Sequence, residues 1–318
     1  MSAEAQPVFI PWTPAPAQLT MAYSVCRGIT RTNAKNFYYA FLVLPKRKRQ
    51  ALCAVYAFMR RADDIADDES MPIEDRRLVM ANWVAAWRTA RATGISDDPV
   101  FLALNDTQKQ FAIPDALLEE LVQGTTMDLD APSVSTGEPQ TFATFEDLYR
   151  YCYLVASVVG LVCIRIFGYT DPQAEKLAEE TGIAFQLTNI LRDVKEDAER
   201  GRIYLPLDFL AQHNIPLDRI KALAAGSALQ PNERAVLQSL AIAAEQYYTS
   251  ADRLLPLIDA DSRAALWVLV TIYHHLLHQI GAANYDVFTK RARVSTPGKL
   301  FILAQGAVMG FRNRRASR

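Results

Sequence analysis

The chain has almost no net charge, few cysteines and no long uninterrupted apolar run, and each lack removes a class of function. Its formal net charge is -1 over 318 residues, so no global basic field attracts nucleic acid and no nucleic-acid partner is expected. Only four cysteines occur, Cys26, Cys53, Cys152 and Cys163. None forms a Cys-x-x-Cys pair, and three lie in apolar stretches, so they read as reduced core residues of a cytosolic protein. A membrane span needs ~20 uninterrupted apolar residues; the longest run, Leu154 to Ile164, stops at Arg165. Neither GxGxxG nor a phosphate-binding P-loop is present, which excludes a Rossmann dinucleotide site. No internal repeat, low-complexity segment or composition shift divides the chain.

What is present is helical periodicity. Half of the residues are hydrophobic, enough for a large core, and they recur at three and four spacing almost throughout. Prolines punctuate the pattern near helix starts and links. The spacing predicts helices over about 18–32, 35–42, 46–67, 74–93, 99–111, 115–130, 144–168, 172–198, 206–212, 216–224, 232–256, 261–287 and 297–312. No run alternates long enough for a sheet. Residues 131–141 form the clearest loop. Pro7, Pro11, Pro14 and Pro16, with no charged segment leading into an apolar run, predict a loose arm over 1–17 and no signal peptide. The expected fold is all-α: one helical-bundle domain over 18–312 with a cavity between long helices, then a basic tail over 313–318.

Two acidic clusters each follow an apolar helical stretch. In Arg60-Arg61-Ala62-Asp63-Asp64-Ile65-Ala66-Asp67, Asp63 and Asp67 are four apart and share a helix face. In Asn189-Ile190-Leu191-Arg192-Asp193-Val194-Lys195-Glu196-Asp197, Asn189, Asp193 and Asp197 share a face at successive turns. Like charges at that spacing oppose a bare helix, so a cation is expected to offset them. Hard oxygen ligands suit Mg²⁺ rather than zinc. Facing each other across a cavity, two such helices would hold a diphosphate through bridging metal ions and help it depart. The plain alternative for either cluster alone is a solvated, ion-paired face.

At this point four separate motifs, in order, resemble the squalene/phytoene synthase family over about residues 20–305. They are Asn36 to Pro45 with Tyr56 to Asp67, Tyr151 to Gly160, Gly182 to Pro206, and Asn284 to Ala292. The resemblance implies an isoprenoid-synthase helical fold and head-to-head condensation of two prenyl diphosphates. It implies Mg²⁺, with Mn²⁺ as a substitute, on Asp63, Asp67, Asn189, Asp193 and Asp197. Lys35, Arg60 and Arg192 would contact diphosphate oxygens, and Arg291 or Lys290 would cap the site. Tyr56, Tyr151, Gln186 and Tyr273 would line it, with Tyr151 counted among the catalytic residues. Phe37, Tyr38 and Phe41 would face a carbocation, or be ordinary core. Ala34 stands where many relatives carry a serine, so one hydroxyl contact to diphosphate is missing. Within the family, the run from Val155 to Arg165 and the Gly182 to Pro206 motif are more similar to bacterial presqualene-diphosphate or squalene synthases, which points to two C15 farnesyl diphosphates. Two C20 geranylgeranyl diphosphates, giving phytoene, are the alternative. NADPH is expected only if the reaction continues to squalene.

Small residues Ala156, Ser157 and Gly160, in mid-helix, either make room for a long apolar tail or allow close helix packing. His274, His275 and His278 lie on an apolar helix, with His274 and His278 on one face, but no glutamate lies between them and no cysteine joins them, so a zinc site is set aside in favour of a satisfied or interfacial histidine cluster. Head-to-tail prenyltransferases and terpene cyclases share the first aspartate motif but not the second. A non-catalytic, membrane-associated assembly factor on the same fold would have lost the aspartates. After Asp286 the chain has no acidic residue, and basic residues are interleaved with Leu300-Phe301-Ile302-Leu303, so a cytoplasmic protein is expected, and two readings of its end stay open: peripheral, salt-sensitive attachment to the inner membrane face, or packing of Leu300 to Phe311 on the domain with a merely solvated basic tail. The sequence assigns no oligomeric state.

Overall fold

The computed structural model describes residues 14–34, 38, 40–68, 70–130 and 138–316, with side chains as far as 311 apart from those of Asp128 and Asp130. Lys35, Phe37, most of the predicted arm, much of the 35–42 helix and 131–141 loop, and the side chains of the basic tail lie outside the described residues.

Helices dominate. They are α1 (Pro16–Asn33), α2 (Lys46–Ala66), α3 (Ile73–Thr93), α4 (Pro99–Phe111), α5 (Asp115–Asp130), α6 (Phe145–Phe167), α7 (Gln173–Glu199), α8 (Leu207–Gln212), α9 (Leu217–Ala224), α10 (Pro231–Leu254), α11 (Ala260–Ala282) and α12 (Thr296–Ala316). Their starts follow local chemistry. Asp98 caps α4 by accepting from the Val100 amide at 2.7 Å, with Pro99 in the first turn. Thr144 and Asp147 form a reciprocal capping box on α6, at 3.2 and 3.0 Å.

The α2 start is basic, which opposes the helix dipole, and tertiary contacts absorb the charge. Lys48 Nζ donates to the Phe167 carbonyl at 2.6 Å, to Asp261 at 2.6 Å and to Ser262 at 3.0 Å. That lysine ties the start of α2 to the end of α6 and the start of α11. Phe58 fixes the other face of α2. Its ring lies 4.7 Å from Trp83, 5.2 Å from Trp87 and 6.3 Å from Phe101. Burial of such rings contributes about 1.5–3 kcal/mol each, so α2 is held rigidly while its opposite face stays available. α7 is the central helix and packs on α6, α9, α10 and α11.

Three features depart from the sequence expectation. Gln140–Thr141 and Arg202–Ile203 pair as two-residue parallel strands, β1 and β2, too short to leave an alternating pattern. α11 ends at Ala282 rather than 287, because Asn284 and Tyr285 turn into the left-handed region at φ 53° and 58°. α6 is interrupted by a π-helical turn, Tyr153–Ser157.

α6 bears on the expectation that no segment spans a membrane. Its 23 residues are long and apolar enough to cross a bilayer by length and composition, although no uninterrupted run is. Half of the apolar window is buried among other helices, so it is a core helix of the bundle.

Candidate active site

An apolar cavity of about 240 Å³ lies between α2, α6, α7 and α11. α2 contributes Leu52, Val55, Tyr56 and Met59; α7 contributes Gly182, Phe185, Gln186 and Asn189; α11 contributes Leu266, Leu269 and Tyr273. The Lys48 contacts set one end near Leu52, Phe167 and Leu266. The opposite end carries Met59, Asn189 and Tyr273. Helix periodicity then places Asp63 one turn beyond Met59, and Asp193 one turn beyond Asn189. Both acidic clusters therefore continue cavity-lining stripes past the polar end of an otherwise greasy chamber.

The π turn explains how α6 serves two purposes. A Cβ on Gly182 would sit 2.5 Å from Ser157 Cα, and one on Gly124 would sit 2.4 Å from the Leu154 carbonyl oxygen. Ser157 is fully buried, and its hydroxyl donates to the Glu179 carbonyl at 2.6 Å. Ser157 thus provides close packing, whereas Ala156 and Gly160 line the cavity. The two sequence readings of this stripe hold at different residues.

Electrostatics differ between the clusters. On α2, Arg60 pairs with Asp64 at 2.6 Å, and its buried Nε has no hydrogen-bond partner among the described residues. Asp63 is half-buried and Asp67 exposed. On α7, Asp193 accepts from Arg192 Nε at 2.8 Å and from Arg291 Nε and Nη2 at 2.8 and 2.5 Å. Burial works to raise the Asp193 carboxyl, but the two guanidinium groups win and hold it below the usual carboxylate range. At Asp197, burial first and then the Asp193 charge outweigh the opposing pull of Arg202 and Arg200 and push it up to about 7.

Asn189 Oδ1 and Glu196 Oε2 are buried without a hydrogen-bond partner among the described residues. An orphaned hard oxygen beside two carboxylates fits a divalent cation of the magnesium class, which would satisfy Asn189 and favour ionised Asp197. Asp63, Asp67, Asn189, Asp193 and Asp197 are the residues that would hold it. Glu196, which sequence reasoning left unassigned, lies 3.4 Å from Arg291 Nε; its place beside Asp197 in the acidic run was the available signal.

A second, basic cavity of about 570 Å³ shares Leu269 and Tyr273 with the first and is lined by Arg192, Arg291, Arg293 and Lys299. Tyr273, stacked on Phe185 with centroids 4.4 Å apart, stands between the two. An apolar chamber beside a cationic one suits a molecule with a long hydrocarbon tail and a polyanionic head. Of the predicted lining residues, Tyr56, Gln186 and Tyr273 face the apolar cavity. Tyr151 does not. Its buried ring stacks on Tyr204 at 5.0 Å, hydroxyl to hydroxyl 3.1 Å, and Tyr204 shares a small crevice with Asp197. Helix phase reports which face a residue is on, not which neighbour covers it.

The model of the squalene/phytoene synthase family matches residues 30–297. Among curated relatives, a phytoene synthase of Mycobacterium tuberculosis is 36% identical, covering 87% of this chain and 88% of its own. A 15-cis-phytoene synthase of Synechococcus elongatus is also 36% identical, with 89% and 92% covered. Among solved structures, a dehydrosqualene synthase superposes with TM-score 0.79 at 31% identity, covering 92% of this chain and 97% of its own. Squalene synthase HpnC from Alicyclobacillus acidocaldarius superposes with TM-score 0.75 at 27% identity, with 86% and 97% covered.

Proposed function

The chain belongs to the squalene/phytoene synthase family, whose members are prenyltransferases that condense prenyl diphosphates head to head, and on that premise we propose that it joins two farnesyl diphosphates to presqualene diphosphate. The observation that carries this reading is the apolar cavity ending at two acidic clusters beside a basic chamber. The C15 choice is supported by the resemblance of Val155 to Arg165 and by the two solved structures named for C30 products. A second reading, two C20 geranylgeranyl diphosphates giving phytoene, is favoured by the names of the curated relatives.

In this reading the hydrocarbon tails lie along Leu52, Val55, Val159 and Leu266, where water is excluded. Arg60, Arg192 and Arg291 bind diphosphate oxygens. Bound Mg²⁺, or Mn²⁺ in its place, supplies Lewis-acid charge at the departing diphosphate. Arg192 and Arg291 now spend their donors on Asp193; cation binding by Asp193 would release both toward substrate. Phe41, Phe185 and Tyr273 line the cavity in which positive charge would develop on the tail. The deciding experiment incubates the protein with each diphosphate and Mg²⁺, with and without NADPH, and identifies the products. A larger specificity constant for the C20 substrate, with phytoene formed, overturns the C15 reading. Squalene formed only with NADPH extends the reaction by one hydride transfer.

The same reading puts the protein in the cytoplasm, resting on the inner membrane face, where such tails partition. Supporting it, α12 buries Gly306 and Gly310 against α11, close to Val268 and Ala264. It leaves Leu300, Phe301, Val308 and Phe311 more than half exposed.

A further inference from the structure

We infer that Glu245, His274 and His278 form a surface binding site for a borderline divalent transition ion of the zinc class, separate from the carboxylate site. The histidines are four apart on α11, so their rings project from one face one turn apart, with centroids 4.2 Å apart. The sequence gives them no acidic partner within the helix. The fold supplies one from α10, the helix packed beside them. His274 Nε2 lies 2.7 Å and His278 Nε2 3.8 Å from the same oxygen, Glu245 Oε1. One ligand atom from each residue falls within 4.8 Å of the others.

Those distances bracket the geometry an ion requires. With metal–ligand bonds of about 2.0–2.1 Å in a tetrahedral shell, neighbouring ligand atoms stand about 3.3 Å apart. The His274 pair must open slightly and the His278 pair must close slightly, both by side-chain rotation. Two imidazole nitrogens and one carboxylate oxygen are a borderline donor set, which selects zinc, copper or nickel over magnesium. The fourth position stays open to water.

The site is also supported from behind. Tyr248 stacks on His274 with centroids 4.3 Å apart, at 19°. Its hydroxyl lies 2.9 Å from Thr188 Oγ1 on α7. His274 is therefore held in place by groups that are not themselves ligands. His275 turns away to Gln279, 3.2 Å distant, and takes no part. The bound ion would clip α10 to α11 on the outer side of the helix whose inner face carries Tyr273.

The test uses the tag-free full chain in excess Mg²⁺, which keeps the carboxylate cluster filled. Zinc binding is measured by calorimetry and Cu²⁺ binding by electron paramagnetic resonance. Wild type and His275→Ala are expected to bind one zinc equivalent and to show two coupled imidazole nitrogens. Loss of groups that merely orient metal ligands costs 10–100-fold in affinity, so losing a direct ligand is expected to weaken zinc by at least about 10-fold. That weakening is expected in Glu245→Gln and in His278→Ala, with one nitrogen left in the latter. These ligands are half or more exposed, so both variants retain the core. Equal zinc stoichiometry and affinity in wild type and His278→Ala overturns the inference.

Discussion

Arg291 donates from both Nε and Nη2 to one oxygen of Asp193, at 2.8 and 2.5 Å, across 98 residues of chain. Arg192 Nε donates to that same oxygen at 2.8 Å, and its Nη2 donates to the other oxygen of the carboxylate. The acidic cluster on α7 is thereby neutralised in part by the very cations a diphosphate would need.

Alanine at Asp63, Asp67, Asp193 or Asp197 is expected to lower turnover by at least ~100-fold, because each removes charge stabilisation of the departing diphosphate. Steady-state assays with prenyl diphosphate and Mg²⁺ measure this, alongside a wild-type assay in excess chelator. Undiminished turnover in chelator refutes the metal-dependent mechanism.

Stability of the metal-free protein should carry a signature of Asp197. Its folded pKa, about 7, lies above the unfolded carboxylate value of about 3.9. The stabilisation from neutral Asp197 is thus complete below about pH 4 and is lost as pH rises through about 7. In chelator, Asp197→Asn is expected to gain Tm relative to wild type across that window. Mg²⁺ at pH 8 should raise the wild-type Tm more than the variant's. Parallel Tm curves for the two proteins refute the assignment.

Gly182→Ala is expected to destabilise by about 1–3 kcal/mol. In an ordinary helix interior this change stabilises by roughly 1 kcal/mol. Here the new Cβ would stand 2.5 Å from Ser157 Cα and 2.8 Å from its amide nitrogen, and backbone atoms cannot rotate away. Gly201→Ala meets no atom within 4 Å but sits at φ 74°, so its cost comes from backbone strain alone. Denaturant melts distinguish the sign at Gly182.

Liposome co-sedimentation tests the membrane proposal. Anionic vesicles at low salt should bind the full chain. Each basic residue near the leaflet adds about 1 kcal/mol, so a chain ending at Phe311, lacking Arg312, Arg314, Arg315 and Arg318, should bind more weakly. High salt should reduce the difference. Leu300→Ser and Phe301→Ser, on the exposed stripe, should weaken binding at any salt. Equal binding to neutral and anionic lipid by both chains refutes the proposal.

The sequence by itself determined the helices, because three-and-four periodicity, proline starts and capping residues are local. It placed α2 within a residue or so of its observed ends, and it put Asp63 with Asp67, and Asn189 with Asp193 and Asp197, on common faces, since a fixed 100° turn per residue dictates both. Only the tertiary structure decided what each face meets. It divided one small-residue stripe between packing at Ser157 and cavity at Ala156 and Gly160, through a π turn that periodicity does not encode. It moved Tyr151 off the cavity and onto Tyr204, brought Arg291 to Asp193, and gave His274 and His278 the glutamate their own helix lacks. Such pairings join residues tens of positions apart. They depend on how helices cross and on side-chain volume at the crossing, which no local spacing rule contains.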